Sequence, residues 1–392
     1  MNSDDFKDTI DETNSYKDIN DLISRLDLDM SHWINAEVAS YAKYKVFKER
    51  KVESKQIPKE LLSYKLKCPN NHHFKPNWLG KRFPTSVLIT KDFQLIRQSS
   101  CFTKCSVCNE LAVLPIPDVE YRQDLDIFGD EAFRQVDNKT IYVYSFVSFS
   151  GGDEDKNIFE KKFLDLKKLI APLSDSSSRV LHMKDLLSGK KRVKNAALSR
   201  LHRNEVMDCI SKIIELIRSY NEKNILNLYS SVGIAEGINK KGPEGIKCKE
   251  EVYSASLIRV IQETTAHGLA PKFYFEKTGS DGWAKNLFHG WRMTLVWPWI
   301  TKGLPVMSPK FVDPSFSLYL EIADILSFVV ARHLFCIGRR VEGKNKKAEI
   351  CPSSLGLVRY ILLNSKGDGA YHDSVGFPDR AMFKGTHWKK HI

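Results

Sequence analysis

Between residues 119 and 336, short runs of β-branched and aromatic residues alternate with long amphipathic runs, and this alternation constrains the fold more than any other feature. VEYRQDL and TIYVYSFVSF read as strands. A helix is predicted over NIFEKKFLDLKKLIAP, then a short strand at RVLHM. In LHRNEVMDCISKIIELIRSY, Val206, Ile210, Ile213, Ile214 and Ile217 fall on one helical stripe. ILNLYSSVGIA (strand), EEVYSASLIRVIQETTAHG (helix), PKFYFEKT (strand) and LPVMSPKFV (strand) follow. SLYLEIADILSFVVARHL closes the series as a mostly apolar, buried helix. Strands followed by alternating helix and strand predict an α/β fold, a sheet covered by helices.

At 392 residues the chain is long enough for two to three domains, and 42% apolar content is ordinary for a globular protein. No stretch of about 18 uncharged apolar residues occurs, so no membrane-spanning helix is expected. MNSDDFKDTIDETNSYKD lacks the basic start and apolar run of a secretory leader, and a cytoplasmic setting is expected. The net charge is +12, divided unevenly: residues 1–30 hold nine acids and three bases, a net of −6, which leaves +18 on the remainder. So basic a body implies a polyanionic partner, of which nucleic acid is the commonest.

Four of the eight cysteines precede residue 110. Cys68-x3-His72, followed by Cys105-x2-Cys108, supplies four soft donors in two close pairs, as a tetrahedral structural zinc requires. His73 is an alternative to His72, and Cys101 to one of the cysteines. The pattern resembles a treble-clef or zinc-ribbon knuckle, Cys-Pro-x-x-His-x-aromatic paired with Cys-x-x-Cys, with Asn71 where such knuckles often carry glycine.

Several acids stand at strand ends or in apolar helix. Asp126 closes the first strand within Asp126-Ile127-Phe128-Gly129-Asp130; Glu276 ends KFYFE, with Asp281 just beyond; Asp324 is embedded among Ile322, Ala323, Ile325 and Leu326. Burying a carboxylate there is costly without a partner, and converging carboxylates form the oxygen cage that magnesium or manganese takes. Over about 215 residues these motifs resemble the bacterial family of domain of unknown function 3800. That family's first strand ends Asp-Glu-Ser-Gly-Asp, its middle carries a histidine matched here by VLHMKDLL and His182, and its last helix carries Gln-x-Ala-Asp, matched by Glu321-Ile322-Ala323-Asp324. The resemblance implies an RNase H-like mixed sheet flanked by helices, preceded by the helical and zinc-knuckle module. It also implies a metal-dependent, nuclease-like centre, with a part in defence against phage or mobile elements. Asp126, with Asp124 as the alternative, Glu276 and Asp324 would be the magnesium or manganese ligands. Asp130, Asp281 and His182 would assist, and Glu321 would add acid near the site. A degenerate module that binds nucleic acid or a protein without cutting is the competing reading.

The run after His182 holds Lys190, Lys191, Arg192, Lys194, Arg200 and Arg203, a candidate phosphate rail for DNA or RNA. Trp283, Trp291, Trp297 and Trp299 are expected to pack in a core or at an interface with a protein partner or second copy rather than to stack on bases. The boundaries read from the sequence are an acidic tail with helices over 1–60, the zinc knuckle over 61–115, the RNase H-like domain over 116–337 and a basic extension over 338–392.

Overall fold

The computed structural model describes residues 61, 63–80, 87–89, 95–98, 100–117, 119–136, 139–170, 180–187, 202–236, 243–278, 282–292 and 294–341. The helices expected within 1–60 and the basic extension past 341 lie outside these residues. Two compact units emerge. One holds the described residues of Met1–Leu125 with Leu257–Lys272 and Ser280–Pro309; the other holds Asp126–Ser256, Phe273–Gly279 and the described residues from Lys310 onward. The boundaries read from the sequence are consecutive, whereas these units interleave along the chain.

In the first unit six short strands form three antiparallel pairs: β1 (Leu66–Lys67) with β2 (His73–Phe74), β3 (Val87–Ile89) with β4 (Leu95–Gln98), and β5 (Ser100–Lys104) with β6 (Leu111–Pro115). Trp78 is buried, donates Nε1–H to the Leu61 carbonyl at 2.8 Å, and meets Tyr64 and Trp299 edge-on. Trp291 and Trp297 are buried as well. Trp291 and Trp297 therefore serve packing.

Most of a five-stranded mixed sheet belongs to the second unit: β7 (Gln123–Val136), β8 (Lys139–Phe149), β9 (Leu226–Glu236), β10 (Leu269–Glu276) and β11 (Lys310–Val312), in the order β11-β10-β7-β8-β9. The β7-β8-β9 meander is antiparallel, and β10 and β11 are parallel. The described helices are α1 (Asp153–Ile170), α2 (Met183–Leu187), α3 (Arg203–Glu222), α4 (Pro243–Thr265), α5 (Gly282–Arg292), α6 (Trp297–Thr301) and α7 (Leu318–Val341).

Both faces of the sheet are covered, so β8 reads as a nearly continuous apolar run. On one face Ile141, Val143 and Val147 join the stripes of α1, α3 and α7 in a single core. All five residues of the α3 stripe are buried, Val206, Ile213 and Ile217 completely. On the other face Tyr144 and Phe146 meet Tyr253 of α4 and Phe273 and Phe275 of β10. Gly129 permits this packing: a Cβ there would lie 2.6 Å from Phe275 and 2.9 Å from Phe146.

Two expectations need correction. The first strand does not stop at Asp126 but continues to Val136. The stretch Asp-Ile-Phe-Gly-Asp-Glu is poor in strand formers, yet pairing on both sides overrides that weak preference. Nor do the described residues of RVLHM form a strand: residues 180–182 are irregular and lead into α2.

Candidate functional site

The four donors of the cysteine cluster come together. Cys68 Sγ lies 3.5 Å from His72 Nδ1 and 3.7 Å from Cys108 Sγ, and all four donor atoms fall within 4.8 Å of one another. Zinc–sulfur bonds of about 2.3 Å and zinc–nitrogen bonds of about 2.0 Å, set tetrahedrally, give edges of about 3.8 and about 3.5 Å, so the spacing fits. Each pair sits on a tight turn closed by backbone bonds, Cys68 N–H to the His72 carbonyl at 3.0 Å and Cys105 N–H to the Glu110 carbonyl at 2.8 Å. Asn71 and Asn109 both adopt φ of 63°, a conformation asparagine tolerates better than most residues. Asparagine therefore suits both turn positions. The Val107 amide donates to Cys105 Sγ at 3.4 Å. Burial raises the Cys105 thiol, but the hydrogen bonds from the Cys108 and Val107 amides outweigh it, leaving Cys105 below its ordinary value; burial holds Cys68 above. The set can hold a metal ion such as zinc, and four protein donors leave no open position. His73 is exposed on β2 beside the set.

A second cluster lies on the α7-covered face of the sheet. Along β7, Asp126, Phe128 and Asp130 point to this face, and Phe128 stacks on Tyr274 of β10 and Tyr319 of α7. Asp130 is opposite Ser145, which is opposite Ser230; the two serine hydroxyls bond at 2.8 Å. Ser327 of α7 donates to Asp130 Oδ2 at 3.3 Å. Glu276, at the end of β10, faces His182 with 4.0 Å between Oε2 and Nδ1. Asp324 of α7 adjoins Asp130 and accepts the Met183 N–H at 2.8 Å. Asp130, Glu276, Asp324 and His182 thus converge.

The three acids repel one another at a half-buried site. Burial, and then Asp324, hold the Asp130 carboxyl well above the ordinary carboxylate range. Burial raises Asp324 against the pull of the Met183 amide. It raises Glu276 too, with His182 opposing and Asp324 and Asp313 reinforcing. Such shared strain among carboxylates is typical of cation and catalytic sites. The cluster is more open than the cysteine set, which is the one group among the described residues whose three or more donors all lie within 4.8 Å.

Asp126 is not among the converging acids. It is exposed and stands four positions before Asp130, about 13 Å along the strand. Asp124 instead pairs with Lys272 at 2.6 Å and accepts the Tyr121 hydroxyl. Glu321 does not add free acid either: buried Lys167 neutralises it at 2.7 Å. Asp281, Lys190, Lys191, Arg192, Lys194 and Arg200 lie outside the described residues, and Arg203 is the first residue of α3. The residue that sequence reasoning missed is Lys167. Its signal was available: Phe159, Phe163, Lys167 and Ile170 form the buried stripe of α1, and a lysine there demands an acid. Comparison with family models, with curated proteins and with solved structures gives no match. No described helix is long and apolar enough to cross a membrane.

Proposed function

We propose that this chain is a metal-dependent phosphodiesterase acting on nucleic acid, with an RNase H-like catalytic sheet and a structural zinc at Cys68, His72, Cys105 and Cys108. The observation that carries the reading is the convergence of Asp130, Glu276 and Asp324 beside His182 on one sheet face. The strand order, an antiparallel meander with two further strands, parallel to each other, beyond β7, supports the RNase H-like assignment. Asp130, Glu276 and Asp324 would hold magnesium or manganese, which polarises a phosphate oxygen and makes water a better nucleophile when bound. His182 turns Nδ1 towards Glu276, which directs Nε2 to a water or a phosphate oxygen as a proton carrier. The net +18 outside residues 1–30 favours a polyanionic substrate. A defence role rests on the resemblance alone.

The test is cleavage of labelled single-stranded and duplex DNA and RNA with magnesium or manganese, and with chelator. Cutting should require the cation and fall at least about a hundredfold in Asp130→Asn, the scale of losing a main electrostatic contact. Cleavage by Asp130→Asn at the wild-type rate would overturn the proposal. The openness of the carboxylate cluster favours a second reading, a module that binds without cutting. Salt-sensitive binding with no cleavage of any substrate would establish it.

A further inference from the structure

His182 sits on irregular chain, yet its backbone is held from both sides. The preceding amide, Leu181 N–H, donates to Glu321 Oε2 at 2.9 Å, and the following one, Met183 N–H, donates to Asp324 Oδ2 at 2.8 Å. Glu321 and Asp324 are three residues apart on α7 and therefore neighbours on one helix surface. The His182 carbonyl accepts the Asp185 and Leu186 amides at 2.9 and 3.0 Å, which starts α2. Behind this clamp Lys167 of α1 donates to the other oxygen of Glu321 at 2.7 Å, with 1% of the lysine side chain and 6% of the glutamate exposed.

Buried ion pairs are expensive, and an apolar pair of similar volume often serves stability as well or better. Leucine and methionine in these places would fill the core. They could not accept the Leu181 amide. We propose that Glu321 is a positioning residue: with Asp324 it fixes where His182 stands relative to Glu276, and Lys167 serves to balance its buried charge. The kinetic consequence rests on the phosphodiesterase reading, whereas the clamp itself can be read without any cleavage.

Two double variants separate the roles. Lys167→Met/Glu321→Leu removes both charges and the acceptor. Lys167→Met/Glu321→Gln removes both charges but keeps an oxygen for Leu181. Amide hydrogen exchange is followed in peptides covering residues 181–187, with α3 as the internal control, and kcat and KM are measured with manganese. The leucine form should exchange at least about tenfold faster at 181–187 while α3 is unchanged, the scale of losing one hydrogen bond to a charged group. Its kcat should fall about tenfold or more with KM retained. The glutamine form should match wild type in both. Equal exchange in the two variants would overturn the proposal. Should the leucine form not fold, the glutamine form decides: exchange faster than wild type at 181–187 would overturn the clamp. If wild-type protein cuts nothing, the phosphodiesterase reading fails, and the exchange comparison still decides this one.

Discussion

A methyl group placed on the face of β7 opposite the site should disturb the carboxylates. In Gly129→Ala the new Cβ would stand 2.6 Å from Phe275 Cε1, whereas ordinary contact begins at 3.4 Å, so about 0.8 Å must be found. Phe146, at 2.9 and 3.1 Å, blocks the escape on the β8 side. Overpacking of this kind costs about 1–3 kcal/mol. For a domain of this size that is roughly 2–10 °C in melting temperature. The displaced parts are the chain neighbours of Asp130 and Glu276, so their separation should change with them, and misplacement of about 1 Å can cost about a hundredfold in rate. Calorimetry without metal reads the first effect, and manganese titration with cleavage kinetics reads the second. Phe275→Leu shortens the obstructing ring, and the double variant should recover much of both losses. A Gly129→Ala protein with wild-type melting and metal affinity would refute the argument, as would a double variant no better than the single.

Other outcomes follow from the same geometry. Purified protein should carry one zinc per chain; Cys105→Ser should lose it and melt earlier, and retention of metal by that variant would exclude the assigned donors. Asp130, Glu276 and Asp324 all sit above their ordinary values, so the folded state holds their protons more tightly than the unfolded chain does. Their stabilisation is therefore complete below about pH 4 and is lost as pH rises through the raised folded values. Metal-free melting temperature should decline over that rise, and Asp130→Asn should flatten the decline; an unchanged slope counts against the cluster. Asp324→Asn and Asp324→Ala should both abolish cleavage. The asparagine form, which still offers an oxygen to the Met183 amide, should be about 1–3 kcal/mol the more stable in chemical denaturation, and equal stability would argue against that hydrogen bond.

The elements with strong periodicity were legible in the sequence. The α3 stripe, the apolar β8, the end of β10 and the start of α7 all fall where hydrophobic spacing puts them. The cysteine set was legible because its donors are paired locally and only one long connection joins the pairs. The first carboxylate was not. Asp126, Asp130 and the intervening glycine read as the end of a strand because polar residues and glycine weaken strand preference. Only the partners on either side reveal a strand that continues and brings Asp130 beneath α7. The pairing of Lys167 with Glu321 was opaque for a related reason. The two are separated by 154 positions, and pairing of that kind leaves no mark on local pattern beyond a charge in an apolar stripe.

Separation along the chain also bears on biosynthesis. Asp130, His182, Glu276 and Asp324 come from four stretches, and the last of them lies on α7, the final described element. Domains are made from the N-terminus onward at about 5–20 residues per second. A nascent chain that has completed the meander and even Glu276 still lacks both Asp324 and the two α7 carboxylates that hold His182. It cannot assemble the centre while α7 is unmade. A protein that cuts nucleic acid would thereby be inert beside the messenger and ribosomal RNA that surround it during translation, and prematurely terminated chains would be harmless for the same reason.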